Sequence, residues 1–350
     1  MKRLAYIPLI ISVLSCASPV DKKINEVQII GSHNSYKQAI EPNLYAYLEE
    51  KDTTDGIQTL EYTHIPIPEQ LSMGLRNLEI DVYIDTEGGR YAHPKGLDLV
   101  DGDSNYDPEG KMLKPGFKML HVLDIDFRTS YYTLKDCLEA MKSWSEQHPD
   151  HSPVFITLEP KDGETNRWGT TPEPYTAAAF DELDRELISG LGEEHLITPD
   201  MVRGDHETLE QAVLAGNWPS ASEGRGRFMF ILDNNGSKRE LYKQDHPNLE
   251  SRVLFINAPQ GTPEAAAMII NDPHDASIPE LVKQGYIIRT RADAGTKQAR
   301  DNDYSDFEAA KQSGAHIITT DYYVPSTLFK SEYHVSFEGD TFERENPILK

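Results

Sequence analysis

Two cysteines in 350 residues are too few for a disulfide framework or a thiolate zinc site. Basic residues are scarce too: 34 Lys and Arg stand against 58 Asp and Glu, a formal net charge of −24. That balance excludes wrapping of nucleic acid, which needs a dense Lys/Arg surface to release counterions. It also excludes general electrostatic adhesion to anionic membranes, and an anionic substrate would need a local device, such as a metal ion, to reverse the sign. The chain has no internal repeat, no Gly-rich phosphate-binding fingerprint and no linker that divides it. Its 23 Gly and 22 Pro are spread throughout, and its 38% hydrophobic residues cluster in short runs, so most of the chain can build a core and is not disordered. The length fits one large domain, two ordinary ones, or a single α/β barrel.

The two cysteines differ in setting. Cys137 lies in a pattern that places Leu134, Cys137, Leu138, Met141 and Trp144 on one helical face, which predicts a buried free thiol. Cys16 follows Met1-Lys2-Arg3 and an apolar run from Leu4 to Leu14. A basic start, a short apolar stretch and small residues at the break form a secretory signal, and the run is too short to span a bilayer. Val13-Leu14-Ser15-Cys16 resembles a bacterial lipoprotein signal, which implies cleavage before Cys16 and lipidation of the new N-terminus. The expected organisation is a signal over residues 1–15, a tether over 16–24 and a folded domain over 25–350. The expected location is the bacterial envelope, with membrane association through lipidated Cys16; ordinary secretion or a periplasmic protein is the alternative. Loss of Lys2 and Arg3 takes the charge from −24 to −24 − 2 = −26.

Short β-rich runs occur at Val27–Ile30, Leu78–Tyr83, Lys118–Leu123, Val154–Leu158, Phe228–Leu232, Val253–Ile256, Tyr286–Arg289 and Ala315–Thr319. Helical patterns lie between several of them, at Leu134–Trp144, Tyr175–Leu187, Leu209–Ala215, Pro279–Gln284 and Phe307–Gln312. Apolar strands alternating with amphipathic helices predict parallel βαβ units. Eight strands predict an α/β fold of a single (β/α)8 TIM-like barrel, with an open doubly wound sheet as the runner-up. The irregular stretch from about Asp85 to Gly116 reads as a loop inserted after the second strand, over one barrel mouth.

In such a barrel catalytic residues sit at the C-terminal strand ends. The first strand runs into Gly31-Ser32-His33-Asn34, where His33 can transfer protons and Asn34 can offer a carbonyl oxygen to a hard cation. The second carries Glu79-Ile80-Asp81, whose carboxylates share a face and would repel unless a cation or a shared proton joined them. The third predicted strand gives His121, and the fourth ends in Glu159-Pro160-Lys161. Each could be a satisfied polar group by itself; four consecutive strand ends of this kind form a sharper pattern.

The order His33-Asn34, Glu79-Ile80-Asp81, His121 and Glu159 resembles the bacterial calcium-dependent phosphatidylinositol-specific phospholipases C, within the wider barrel superfamily of phosphodiesterases. The resemblance extends through Gly204, Val213–Pro219, Phe228–Asn234, Asp272-Pro273 and Arg289–Asp293, about residues 25 to 325. It implies a Ca²⁺ ion, or Mg²⁺ in its place, held by Asn34, Glu79, Asp81 and Glu159, all hard oxygen donors. It implies His33 and His121 as the acid–base pair, with Lys161 and Arg291 as the fixed cations beside phosphate. The implied reaction is cleavage of a phosphatidylinositol-type phosphodiester to a cyclic inositol phosphate and diacylglycerol. Glu159-Pro160-Lys161 is also similar to glycerophosphodiester phosphodiesterases and sphingomyelinases D, which makes a related phosphodiesterase the alternative. A lipid-anchored binding protein is the third reading, but a binder has no use for both histidines.

Other charged clusters carry less. Asp101–Asp107 hints at a calcium loop but has Tyr106 where the loop glycine belongs and Met112 in place of its final Glu. His148-Pro149-Asp150-His151 has no metalloprotease spacing and reads as a helix-terminating turn. Asp233-Asn234-Asn235-Gly236 at a strand end could shape the substrate mouth, but turn chemistry alone explains it.

Overall fold

The computed structural model describes residues 21–102, 105–165 and 167–349. The strands are β1 (Val27–Ser32), β2 (Asn77–Asp85), β3 (Gly116–Lys118), β4 (Val154–Lys161), β5 (Phe228–Leu232), β6 (Phe255–Ile256), β7 (Ala267–Ile269), β8 (Ile287–Arg291), β9 (Ile317–Thr320) and β10 (Glu343–Glu345). Eight of them lie side by side in parallel, in the order β6-β5-β4-β2-β1-β9-β8-β7. A bridge from Asn257 to Ala267 brings the two ends of that series together, so the barrel is nearly closed. The fold is the expected TIM-like barrel, with a correction to its membership. The predicted strand Lys118–Leu123 is not a stave: β3 covers only Gly116–Lys118 and pairs antiparallel with the end of β2. The eighth stave is β7, whose three residues follow Ala265 and Ala266 and lack the β-branched run that marks the others.

β2 is buried along its whole length. Leu78, Ile80 and Val82 share one apolar core with Leu134, Cys137, Leu138 and Met141 from the helix Leu134–Gln147, and with Phe180 and Leu183 from the helix Ala177–Leu191. The pleat therefore turns Glu79 and Asp81 to the opposite, inner side. Burying a side chain such as Leu138 stabilises the fold by about 1.5–3 kcal/mol. Cys137 is a buried free thiol, as its helical face predicts, and burial pushes its pKa well up. Threonines start these helices. Thr133 accepts from the Asp136 amide at 3.1 Å and Thr176 from the Ala179 amide at 3.2 Å, and Thr198 and Thr208 cap two shorter helices in the same way.

The segment after β2 is a small unit with its own core. Tyr91, Met112, Leu120, Leu123, Ile125 and Phe127 pack against Leu44, Leu48 and Ile57 from the β1–β2 connection. Asp124, at φ 72°, fastens it to the β4 side by accepting from the Thr170 hydroxyl (2.7 Å) and the Thr170 amide (3.1 Å).

Residues 1–15 and Cys16 lie outside the described residues, as do Asp103 and Ser104 of the acidic loop. From Lys22 onward the chain is on the barrel: Lys22 pairs with Glu345, Lys23 bridges to Ser220, and Ile24 is buried. Among the described residues no helix is long and apolar enough to cross a membrane.

Candidate active site

The C-terminal ends of β1, β2, β4, β8 and β9 bring most of the expected residues together. Gly31 lets β1 approach β2, because a Cβ there would collide with Asn77, so only glycine fits. The chain then turns through Asn34, at φ 48°, a conformation that asparagine tolerates. Backbone bonds fix the turn: the His33 amide donates to Thr320 O (3.0 Å), the Ser35 amide to Glu79 O (2.8 Å), and the Glu79 amide to Ser35 Oγ (2.8 Å).

Glu79, Asp81 and Glu159 form one group, with an oxygen of each within 4.8 Å of the others. Among the described residues it is the one group of three or more acidic, His or Cys side chains close enough to share a metal. Asp81 is 1% exposed, and neither of its carboxylate oxygens has a hydrogen-bond partner. Burial pushes its pKa up to about 7; Lys161 opposes that shift and does not cancel it. The Asn34 amide NH₂ donates to Tyr62 Oη at 2.7 Å, which leaves Asn34 Oδ1 buried without a partner. Buried hard oxygens with no hydrogen-bond donor, of which Asp81 Oδ2 alone has an ion-pair partner in Lys161, beside clustered carboxylates fit a divalent cation of the Ca²⁺ type.

Each histidine has a carboxylate on Nδ1. His33 Nδ1 lies 2.8 Å from Asp321 Oδ1, and His121 Nδ1 lies 2.6 Å from Asp126 Oδ2. On its other side His33 Nε2 meets Arg291 Nη2 at 2.8 Å and Glu79 Oε1 at 3.3 Å. Burial, then Arg291, hold the His33 pKa well below the ordinary value, so the ring is neutral. With Nδ1–H donated to Asp321, the Nε2 lone pair accepts from Arg291. Tyr62 stands between the two histidines, its ring centre 6.1 Å from that of His33 and 6.2 Å from that of His121.

His121 is delivered by the inserted unit rather than by a barrel strand end, which corrects the expected placement. A tight turn, with Val122 and Asp126 exchanging amide bonds of 3.2 and 2.9 Å, folds Asp126 back onto the ring. Asp126 in turn meets the buried Lys37 ammonium at 3.2 Å, and Lys37 donates to Leu60 O (2.9 Å) and Tyr62 O (2.8 Å). Lys161 Nζ sits 3.3 Å from both Asp81 Oδ2 and Glu159 Oε2. Arg289, fully buried, pairs with Glu79 and Asn271. Asp233 lies close enough to Arg289 for that charge to pull its pKa down, although burial wins and pushes it up to about 6. A cavity of about 180 Å³ opens beside these groups, lined by Tyr83, His121, Lys161, Asp162, Glu164 and Thr170.

Sequence reasoning missed Lys37, Tyr62, Asp126, Arg289 and Asp321 as parts of the site. Two of them carried a signal: Asp321 as an acid directly after a strand, and Arg289 as the last residue of the predicted strand Tyr286–Arg289, both where the barrel rule looks.

The sequence model of the family "phosphoinositide phospholipase C, Ca²⁺-dependent" matches residues 22–347. The chain belongs to that family. The family is Ca²⁺-dependent, and its members are phosphodiesterases, so this chain is an enzyme of that class, not a binding protein. Two structures of a calcium-dependent phosphoinositol-specific phospholipase C from a Gram-negative Pseudomonas species share its fold. The apo form has 14% identity and a TM-score of 0.54, covering 94% of this chain and 97% of that one. The myo-inositol complex has 14% identity and a TM-score of 0.52, covering 93% and 96%. A Ca²⁺-dependent phosphatidylinositol-specific phospholipase C from Streptomyces antibioticus has 18% identity and a TM-score of 0.53, covering 86% and 95%. At these identities the likeness is one of fold. No curated protein matches by sequence.

Proposed function

We propose that this phosphoinositide phospholipase C cleaves phosphatidylinositol itself, by acid–base catalysis between His33 and His121, to a cyclic inositol phosphate and diacylglycerol. The observation that carries this reading is the pair of carboxylate-backed histidines flanking Tyr62 beside three clustered carboxylates, with Asn34 Oδ1 and Asp81 Oδ1 buried and without a partner. Asn34, Glu79, Asp81 and Glu159 would hold the Ca²⁺ ion. Bound there, Ca²⁺ would lower the pKa of the attacking hydroxyl and offset charge on the phosphoryl oxygens.

The protein's own groups move the protons. His33 is neutral with its lone pair at Nε2, so it takes the proton of the inositol 2-hydroxyl as that oxygen bonds to phosphorus. The imidazolium that results lies between the Asp321 and Glu79 carboxylates, which stabilise it. His121, held through Nδ1 by Asp126, delivers a proton from Nε2 to the diacylglycerol oxygen as its bond to phosphorus breaks. Arg291 exchanges His33 Nε2 for a phosphoryl oxygen, and Lys161 supplies a second cation to the phosphate.

³¹P NMR of phosphatidylinositol with the protein in Ca²⁺, in Mg²⁺ and in chelator tests the reaction. A five-membered cyclic phosphate signal that requires Ca²⁺ is expected. Turnover without that signal, or equal turnover in chelator, would overturn the reading.

The lipid anchor at Cys16 is part of the proposal and rests on the Val13–Cys16 pattern. The enzyme would then reach its substrate from a tethered position on the bacterial envelope. Cys16→Ser is expected to release the protein from the membrane fraction of its host; unchanged partition would remove the anchor.

A further inference from the structure

Lys161 ends β4 two residues beyond Glu159, so strand alternation sends both side chains to the barrel interior. In the β2–β4 ladder Asp81 lies opposite Glu159 and Tyr83 opposite Lys161. The lysine is thereby hung one inward-facing pair above the carboxylates. Its Nζ comes down between them, 3.3 Å from Asp81 Oδ2 and 3.3 Å from Glu159 Oε2. These are two of the three carboxylates close enough together to share a metal ion. A metal ion held there would compete with the ammonium for the same oxygens.

The two cations paired with these three carboxylates, Arg289 and Lys161, differ in what they can do about this competition. Arg289 is fully buried and is fixed from both sides, by Glu79 and by Asn271. Lys161 is the end of a flexible four-carbon chain with its side chain 23% exposed. It borders the 180 Å³ cavity at the mouth, which it shares with His121 and Asp162. Asp162 is already engaged by Lys238 at 2.8 Å, so a displaced Lys161 would not simply be captured there. Glu159 is 35% exposed and can turn with either partner, whereas Asp81 is buried and has no hydrogen bond of its own. Lys161 is thus the movable charge of the cluster, and Asp81 is the fixed one.

We propose that Lys161 is a tethered counter-cation of the metal site, which neutralises Asp81 and Glu159 before metal binds, swings toward the phosphate side on Ca²⁺ binding, and so sets the Ca²⁺ affinity of the enzyme. The proposal rests on the reading that Glu79, Asp81 and Glu159 hold Ca²⁺. Its consequence runs against the ordinary expectation for an active-site lysine, because removing Lys161 strengthens metal binding while it weakens the phosphate contact. Coupling between two ligands of one site is reciprocal, and a competitor held by its tether at high effective concentration lowers affinity by its own occupancy.

Calorimetric titration of Ca²⁺ into chelator-treated protein tests this without reference to turnover. Lys161→Met is expected to bind Ca²⁺ roughly ten- to hundredfold more tightly than the wild type, the scale of one lost like-charge neighbour at a partly buried site. Lys161→Arg, which keeps the charge, is expected to stay within about threefold of the wild type. Equal or weaker binding by Lys161→Met overturns the proposal, as does a gain in Lys161→Arg matching that of Lys161→Met. If the wild type itself binds no Ca²⁺, the metal-site reading fails, and this inference fails with it. Should Lys161→Met unfold in chelator, Lys161→Gln, which keeps a donor for Glu159, is titrated against the same two outcomes.

Discussion

Replacing His121 with alanine is expected to lower turnover of phosphatidylinositol by about 10²- to 10⁴-fold, the usual worth of a positioned acid or base. The fold should survive the change, because Asp126 keeps the buried Lys37 ammonium at 3.2 Å when the ring is gone. His33 is less clean a target. Its removal strands Asp321, whose amide donates to Asp293 Oδ1 at 2.9 Å and whose carboxyl burial already pushes toward the neutral form. The His121 variant also separates the two catalytic roles. A leaving group that departs without a proton, such as nitrophenolate in an inositol phosphate ester, does not need the acid. On that substrate the His121→Ala deficit should shrink to roughly tenfold, because the missing acid acts only on the departing oxygen. Equal deficits on both substrates would show that His121 is not the acid, and near-normal activity on phosphatidylinositol would remove it from the mechanism. Unchanged melting temperature is the control for folding.

The parts of this site that were legible in the chain are those set by position along a single strand. Glu79 and Asp81 share a face because they are two apart, and so do Glu159 and Lys161; alternation requires nothing more. Lys161 could therefore be placed at the mouth from sequence. That it sits on Asp81 depends on the register of β4 against β2, which no local pattern encodes. Asp126 and Lys37 were invisible for the same reason. A buried lysine looks like a surface lysine until the chain around it closes, and its partner lies 89 residues away. His121 was recognised as a residue but misplaced: Lys118-Met119-Leu120 has the composition of a strand, yet β3 ends at Lys118, Met119 packs into the main barrel core and Leu120 into the inserted unit's core. The missed stave β7 shows the converse, since Ala267–Ile269 is held in the sheet by its neighbours Asn257 and Ile287 with little strand propensity of its own.

Asparagine in place of Asp81 is expected to remove Ca²⁺-dependent activity and, at neutral pH in chelator, to make the protein more stable rather than less. The reason lies in which of two effects on Asp81 is larger. Lys161 at 3.3 Å favours its ionised form, and burial without a hydrogen bond to either oxygen disfavours it. Burial wins, and the pKa rises from the ordinary carboxylate range to about 7. A carboxyl group shifted upward contributes stability that is fully present below its unfolded value near pH 4 and is lost as pH climbs through the folded value. The metal-free protein should therefore lose stability across about pH 4 to 7, on the order of 2–4 kcal/mol, while Asp81→Asn, with nothing to ionise, should be flatter through that window. Lys161 still has Glu159 at 3.3 Å in the variant, so the substitution does not leave a second buried charge alone. Ca²⁺ reverses the order, because the metal selects the ionised form and its stabilisation of the wild type should grow over the same pH range. Melting temperatures of both proteins at pH 5 and 7.5, with Ca²⁺ and with chelator, give the four comparisons. A variant less stable than the wild type in chelator at pH 7.5 would mean that the Lys161 pair outweighs the burial of Asp81. A Ca²⁺-induced rise in melting temperature equal in both proteins would place the ion somewhere other than on this carboxylate.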